Sequence, residues 1–296
     1  MQPHTLGMTS MAQNRIPAIS QKQAISALKP RPPDSHKGLF GSALVIGGNI
    51  GMTGAALLAA RAALKIGAGS VHTLMLADNA PAIDLMQPEL MLHPANTHPD
   101  TIKHDVIAIG CGLGLDKAAQ KVLHDVLKLD SPLVVDADAL NLLAIRPDLR
   151  SMLAMRNRPT VITPHPGEAA CLLGISNEAV QSDRPAAAVA LASRLKCCVV
   201  LKGAGSLCVT SDGALRINRT GNPGMSSPGM GDVLCGMIAG FIAQGMSVDD
   251  AMLLAVHLHG AAADALAEQQ ALIGMTATEV TEWSRWLLNQ WLLRVA

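Results

Sequence analysis

From residue 43 onward, short apolar runs alternate with stretches of helical periodicity. Ala43–Gly48 and Val71–Leu76 read as strands, and DVIAIG (105–110), LVVD (133–136), TVIT (160–163) and CVVLK (198–202) follow them. Helical periodicity covers 53–66, which is rich in Ala and Leu, and then 116–128, 138–145, 166–173 and 184–196. Strands that are apolar throughout cannot have one wet face, so they predict a parallel sheet buried on both sides. Right-handed crossovers then make the domain α/β, a doubly wound, mostly parallel sheet with helices on both faces. Leu207–Thr210 and Ala214–Asn218 flank Ser211-Asp-Gly213, a hairpin signal, and beyond Gly229 the chain reads as helix to its end. Residues 1–35 form a polar leader, with a short helix at about 21–28 and an extended stretch through Pro30-Arg-Pro-Pro33. With no repeat and no linker after residue 36, residues 36–296 count as one domain.

Composition narrows the function. The chain of 296 residues balances 23 Lys+Arg against 23 Asp+Glu, so no net field draws it to nucleic acid or to an acidic membrane. Aromatics are few (Phe40, Phe241, Trp283, Trp286, Trp291 and no Tyr), which argues against a protein that stacks single-stranded bases. A nucleotide ligand would rest its base on aliphatic side chains. The 6 cysteines show no metal-ligand spacing. Five sit in apolar runs as small core residues, and Cys111 lies in a Gly-rich turn. No apolar run reaches the ~18 residues of a membrane span. The first 29 residues lack a signal-peptide pattern, so a cytoplasmic protein is expected.

The polar clusters all fall at strand ends, where open parallel sheets bind ligands. Gly47-Gly-Asn-Ile-Gly-Met-Thr-Gly54-Ala55 opens a helix and reads either as an anion-binding helix start or as a tight turn. Ile109-Gly-Cys-Gly112-Leu-Gly114 is a second glycine turn. In Asp136-Ala-Asp138-Ala-Leu-Asn141, Asp138 suits a helix N-cap, and Asn141 can present its amide to the same cleft. Thr163-Pro-His165-Pro-Gly-Glu168 holds an imidazole between prolines, with Glu168 placed to reach a magnesium-bound water. Lys202-Gly203-Ala204-Gly205-Ser206 combines an ammonium with backbone amides suited to phosphate. In Gly221–Asp232, a Gly-rich turn enters an apolar helix at Gly229-Met230-Gly231-Asp232. That helix start supplies an anion hole together with a carboxylate able to take a hydroxyl proton, which is what phosphoryl transfer asks of a protein.

Taken in order, His36-Lys-Gly38, GGNIGMTGAALLAARAALKIGAG, IGCGLG, VDADALNLL, TPHPGE, LKGAGS, NPGM and GDVLCG resemble the ADP-dependent NAD(P)H-hydrate dehydratases, a ribokinase-like family, over roughly residues 36–270. The resemblance implies phosphorylation, by ADP or by ATP in some members, of the hydroxyl of the (6S) hydrate of NADH or NADPH. Phosphate then leaves. It implies that Asp232 is the general base and contacts the hydrate, and that Gly229, Met230 and Gly231 form the anion hole. Lys202–Ser206 with Gly231 would hold ADP or AMP, while Gly54, Ala55, Gly112 and His165 would touch the hydrate. Mg²⁺ would bridge the phosphates, and a homo-oligomer, a tetramer, is the expected assembly. Two positions depart from the family pattern: Met230 stands where a small hydroxyl residue is usual, and Pro228 where a small residue is. The epimerase domain fused to many bacterial members is absent from this sequence, so a separate epimerase is expected to interconvert the hydrate's epimers. The alternatives are a small-molecule kinase of the same superfamily and an inactive nucleotide-binding protein.

Overall fold

Every residue of Ser42–Gly47 (β1) is buried, as a central strand with helices on both faces requires. The computed structural model describes residues 16–28, 30–270 and 272–293. Around β1 lie Ser70–Met75 (β2), Met91–His93 (β3), Val106–Ile109 (β4), Leu133–Val135 (β5), Thr160–Ile162 (β6), Cys198–Leu201 (β7), Leu207–Val209 (β8) and Leu215–Ile217 (β9). Their order is β3-β2-β1-β4-β5-β6-β7-β8-β9. Pairing is parallel as far as β7, and β8 and β9 close that edge as the antiparallel hairpin expected from Ser211-Asp-Gly213. The helices are Gln21–Ile25 (α1), Thr53–Lys65 (α2), Lys117–Leu127 (α3), Ala137–Ile145 (α4), Pro147–Ala154 (α5), Pro166–Leu173 (α6), Asn177–Ser182 (α7), Arg184–Leu195 (α8), Met230–Ala243 (α9), Val248–Gln269 (α10) and Ala277–Leu292 (α11).

The strands divide their side chains by size. Ala43, Val45, Ala108, Val134 and Val161 face the core shared with α2, α9 and α10. Leu44, Ile46, Ile107, Ile109 and Ile162 face the core shared with α3, α4, α6 and α8. Small residues on the first face let α9 lie close to the sheet, and α9 is buried at every position from Val233 to Ala243. Glycine brings α9 equally close to α2: a Cβ at Gly236 would run into the Ala59 carbonyl, and one at Gly240 would lie 2.8 Å from the Ala63 oxygen.

Some elements lacked a sequence signal. β3 has three residues and none of them is buried, α7 is short and polar, and α5 follows α4 almost without a break. The leader helix ends at Ile25, earlier than expected. The segment before it is tied to the sheet: Ile19 N–H donates to the Ile217 carbonyl at 2.9 Å, and Ile19 and Ala24 are buried. The rest of the expected leader, residues 1–15 and 29, lies outside the described residues. All six cysteines are free. One reading of them is corrected: Cys171 is exposed because it falls on the outer face of α6, whereas Cys111, in its Gly-rich turn, is buried.

Gly236→Ala is expected to destabilise the fold by ~1–3 kcal/mol through overpacking against α2. Urea unfolding should show a lower midpoint than wild type, with Cys171→Ser unchanged as an exposed-site control. Equal midpoints for Gly236→Ala and wild type would refute the close-approach argument.

Candidate active site

The strand order places β1 between β2 and β4, so a crevice opens at their carboxyl ends. The first two glycine loops meet there. Gly48 N–H donates to the Cys111 carbonyl at 3.0 Å, and Asn49 N–H to the Gly112 carbonyl at 2.7 Å. Gly112 has φ +62°, and a Cβ on it would lie 2.6 Å from the Met52 carbonyl oxygen and 3.2 Å from Ala55 Cβ. Only glycine fits, so Gly112 and Ala55 form one floor of small residues, with exposed Gly54 beside them. Asp138 fixes this floor to α4 by accepting the Gly114 N–H at 2.8 Å. The N-cap reading of Asp138 is therefore corrected: the N-cap position belongs to Asp136, whose side chain makes no cap bond. Asn141, one turn into α4, is part-exposed and is not drawn into these contacts.

The charged groups gather at the next strand ends. Lys202 Nζ lies 2.6 Å from Asp136 Oδ1 and 3.9 Å from Glu168 Oε2, with both carboxylates buried. Burial works against the Lys202 charge, but Asp136 and Glu168 outweigh it and hold the ammonium above its ordinary value. His165 caps α6 in a reciprocal box. Its Nδ1 accepts the Gly167 and Glu168 amides at 3.0 and 3.3 Å, and Glu168 Oε2 accepts the His165 amide at 2.7 Å. An accepting Nδ1 puts the neutral ring's proton on Nε2, on a side chain that is 56% exposed. Burial first, and Lys202 second, keep this imidazole below its ordinary pKa.

Asp232 stands in the first turn of α9, directly after Gly231. A Cβ on Gly231 would lie 3.3 Å from Lys202 Nζ, so this turn rests on the ion pair. Burial raises Asp232 to about 6, opposed by a hydrogen bond from Cys111 and reinforced by Asp136. Burial likewise raises Glu168 to about 7. At Gly229, φ +86° sets the entry into α9, and a Cβ would lie 2.5 Å from Leu58 Cδ1. The helix then starts with free amides at Met230, Gly231 and Asp232. The Met230 side chain itself is buried.

A cavity of about 530 Å³ opens on the other side of this turn, lined by Lys202–Ser206 together with Met230 and Gly231. None of the hydrate-contact candidates lines it. Gly231 lines the cavity, while Asp232 after it meets Cys111 of the second glycine loop, so the start of α9 lies between the cavity and the strand-end loops. Arg184, which no motif pointed to, holds the 202–205 turn from beneath, donating to the Ala204 carbonyl at 2.6 Å and to the Leu201 and Lys202 carbonyls at 3.2 Å. Its only signal in the sequence was an arginine at a helix start.

A doubly wound sheet with an antiparallel hairpin at its edge, and a Gly-x-Gly-Asp helix start beside a cavity at the strand ends, defines a ribokinase-like enzyme. The chain belongs to the NAD(P)H-hydrate dehydratase family, whose sequence profile matches residues 43–285. It is 41% identical over 266 residues to an ADP-dependent (S)-NAD(P)H-hydrate dehydratase of Neisseria meningitidis, covering 88% of this chain and 90% of that one. It is 42% identical over 280 residues to a bifunctional NAD(P)H-hydrate repair enzyme of Escherichia coli, covering 94% of this chain but 53% of the relative. The chain thus spans about half the length of that bifunctional relative. Among solved structures, the ADP/ATP-dependent NAD(P)H-hydrate dehydratase of Bacillus subtilis, co-crystallised with ATP/Mg²⁺, superimposes with a TM-score of 0.81 at 30% identity, covering 93% of this chain and 99% of that one.

Lys202→Met should leave Asp136 as a buried charge without its partner and destabilise the protein by ~3–5 kcal/mol at neutral pH. The double variant Lys202→Met/Asp136→Asn should recover most of that loss. Denaturant titrations of the two proteins decide, and equal losses in both would refute the pairing.

Proposed function

We propose that this chain dehydrates the (6S) hydrate of NADH or NADPH, consuming ADP or ATP and, with ADP, releasing AMP and phosphate. The observation that carries this is the position of Asp232, which meets Cys111 of the second glycine loop while Gly231 before it lines the cavity. A donor nucleotide in the cavity would put its terminal phosphate against Lys202, the 203–206 amides and the first-turn amides of α9. A hydrate in the crevice would rest on Gly54, Ala55 and Gly112, with Asn141 and the Nε2–H of His165 at its rim. Asp232 then takes the proton from the hydrate hydroxyl as that oxygen attacks phosphorus. Hydroxide leaves poorly and phosphate leaves well. The ring nitrogen supplies the electron pair that expels phosphate, and loss of a ring proton restores the reduced nicotinamide.

The acidic surroundings suit Mg²⁺. Asp232 and Glu168 each experience Asp136 and Asp138, with Lys202 the one ammonium acting on both. Polyphosphate entering such a cluster needs positive charge beyond one lysine, and hard carboxylate oxygens match magnesium. Glu168 already serves the His165 cap, so it would act through water, with Asp136 beside it. Cys111, Asp136 and Cys235 bring potential ligand atoms within 4.8 Å of one another, but hydrogen bonding to Cys235 and burial keep the Cys111 thiol protonated, which does not suit a metal. Bound magnesium would neutralise charge on the transferred phosphoryl group.

A homo-oligomer, a tetramer, belongs to the same proposal, as does a separate epimerase as functional partner. Cytoplasmic location follows from the proposed substrate, an intracellular nucleotide. Among the described residues no helix is long and apolar enough to cross a membrane.

Purified protein given (6S)-hydrate, Mg²⁺ and ADP or ATP should raise absorbance at 340 nm, with AMP released when ADP is the donor. A phosphorylated product that persists would indicate a kinase instead. Asp232→Asn should lower turnover at least ~100-fold with ADP binding retained. Wild-type turnover should rise with pH through about 6, as the carboxylate forms. A carboxyl whose folded pKa is raised lends its stability below the unfolded value and loses it as pH rises through the folded one. Asp232→Asn should therefore melt no lower than wild type at pH 7.5. Met230→Thr should keep or raise turnover while lowering stability by ~2 kcal/mol or more, because the side chain it shortens is buried. A tenfold fall in its turnover would show that Met230 is needed as it stands.

A further inference from the structure

Arg184, at the start of α8, is 6% exposed, and every group it is bonded to is a backbone carbonyl of the 201–204 stretch. No carboxylate among the described residues pairs with it, burial lowers its pKa, and its Nε is buried without a partner. A guanidinium nevertheless stays charged in a protein. Arg184 is therefore a buried cation whose counter-charge the chain does not supply, a costly arrangement unless an anion comes near. The same carbonyls fix the direction of the turn's amides. Among the described residues no peptide bond is cis, and in a trans unit the N–H points opposite to the C=O. Lys202 and Ala204 turn their carbonyls to Arg184, so the amides of Gly203 and Gly205 point away from it. Neither amide donates a hydrogen bond among the described residues. Both glycines line the 530 Å³ cavity, and Arg184 does not. Gly203 has φ +137°, and a Cβ on it would lie 3.0 Å from Arg184 Nη2, so glycine lets the guanidinium lie against the turn. Unpaired amides turned away from a fixed positive charge make a concavity suited to an anion.

We propose that Arg184 is a positioning residue for the donor nucleotide, holding the Gly203 and Gly205 amides for its phosphates and adding a buried positive charge behind them. This rests on the cavity being the donor site. Arg184 acts on the phosphates through the turn and does not touch them. Of the cations that line the cavity, Lys202 is already matched by Asp136, and Arg219 is exposed. The buried charge without a carboxylate is the one beneath the turn, and a polyphosphate on the turn's other side supplies what it lacks.

Calorimetric titration of the full chain in Mg²⁺ with ADP and with pyrophosphate tests this without using turnover. Wild type should bind both. Arg184→Met, which removes the charge and the donors but keeps an unbranched side chain, should lose at least tenfold in affinity for each, about 1.4 kcal/mol. Arg184→Lys, which keeps the charge with fewer donors, should restore part of that loss. A residue that served folding alone would lower the melting temperature of Arg184→Met and leave both affinities as they are. Unchanged affinities in folded Arg184→Met therefore overturn the proposal. If that variant does not fold, the wild-type amide spectrum decides. Saturating pyrophosphate should move the Gly203 and Gly205 N–H resonances, and resonances that stay in place overturn the proposal equally. Wild type that binds neither ADP nor pyrophosphate removes the donor-site reading and the proposal with it. That pattern is distinct from nucleotide binding that ignores Arg184.

Discussion

Lys202 and Asp136 meet at 2.6 Å where β7 and β5 end, and the first turn of α9 sits on top of the pair. An ammonium and a carboxylate taken out of water hold their geometry tightly, because neither has another partner of equal strength. Their contact sets the separation of the two strand ends across β6. It also sets where Glu168 can stand and how far Gly231 can descend. Glycine at 231 is what lets the helix start come down onto the lysine. The pair thus fixes the height of Asp232 and of the free amides beside it.

Around that pair the protein carries charge it has not neutralised. Burial lifts Asp232 to about 6 and Glu168 to about 7, so folding at neutral pH works against both carboxylates. Such a cluster loses stability to keep a group that can exchange protons near neutrality, a usual property of active sites. The rigid frame offsets the loss. The two glycine loops are bonded to each other, Asp138 ties down Gly114, Arg184 holds the 202–205 turn, and α9 is packed against α2 through glycine.

Much of the architecture was legible in the chain. Strands apolar throughout, such as Val106–Ile109, could only be central, and the runs from 105 to 202 ended in Gly, Asp, Pro or Lys where a parallel sheet binds ligands. What escaped was short or had no periodicity: β3, too exposed to show an apolar run, α7, too short, and the docking of Ile19 on β9. Side-chain roles within a motif also escaped. Asp138 reads as a cap in sequence but braces a loop 24 residues away in the chain. Cys171 reads as core but faces out, because strand and helix runs of apolar residues bury only those on the inner side.

The sequence by itself determined the fold class, the family and the set of strand-end motifs, since these follow from local periodicity and from residue types in order. Tertiary structure alone decided which of those residues meet. It joined Lys202 to Asp136 and placed Cys111 under Asp232. It also brought Arg184 and His259, which belong to no motif, to the turn and to the cavity. Such partnerships span tens of residues in the chain and depend on how layers pack. No local pattern encodes them, because burial and distance, which raise a carboxylate's pKa and decide which groups line a cavity, exist only once the layers are in place.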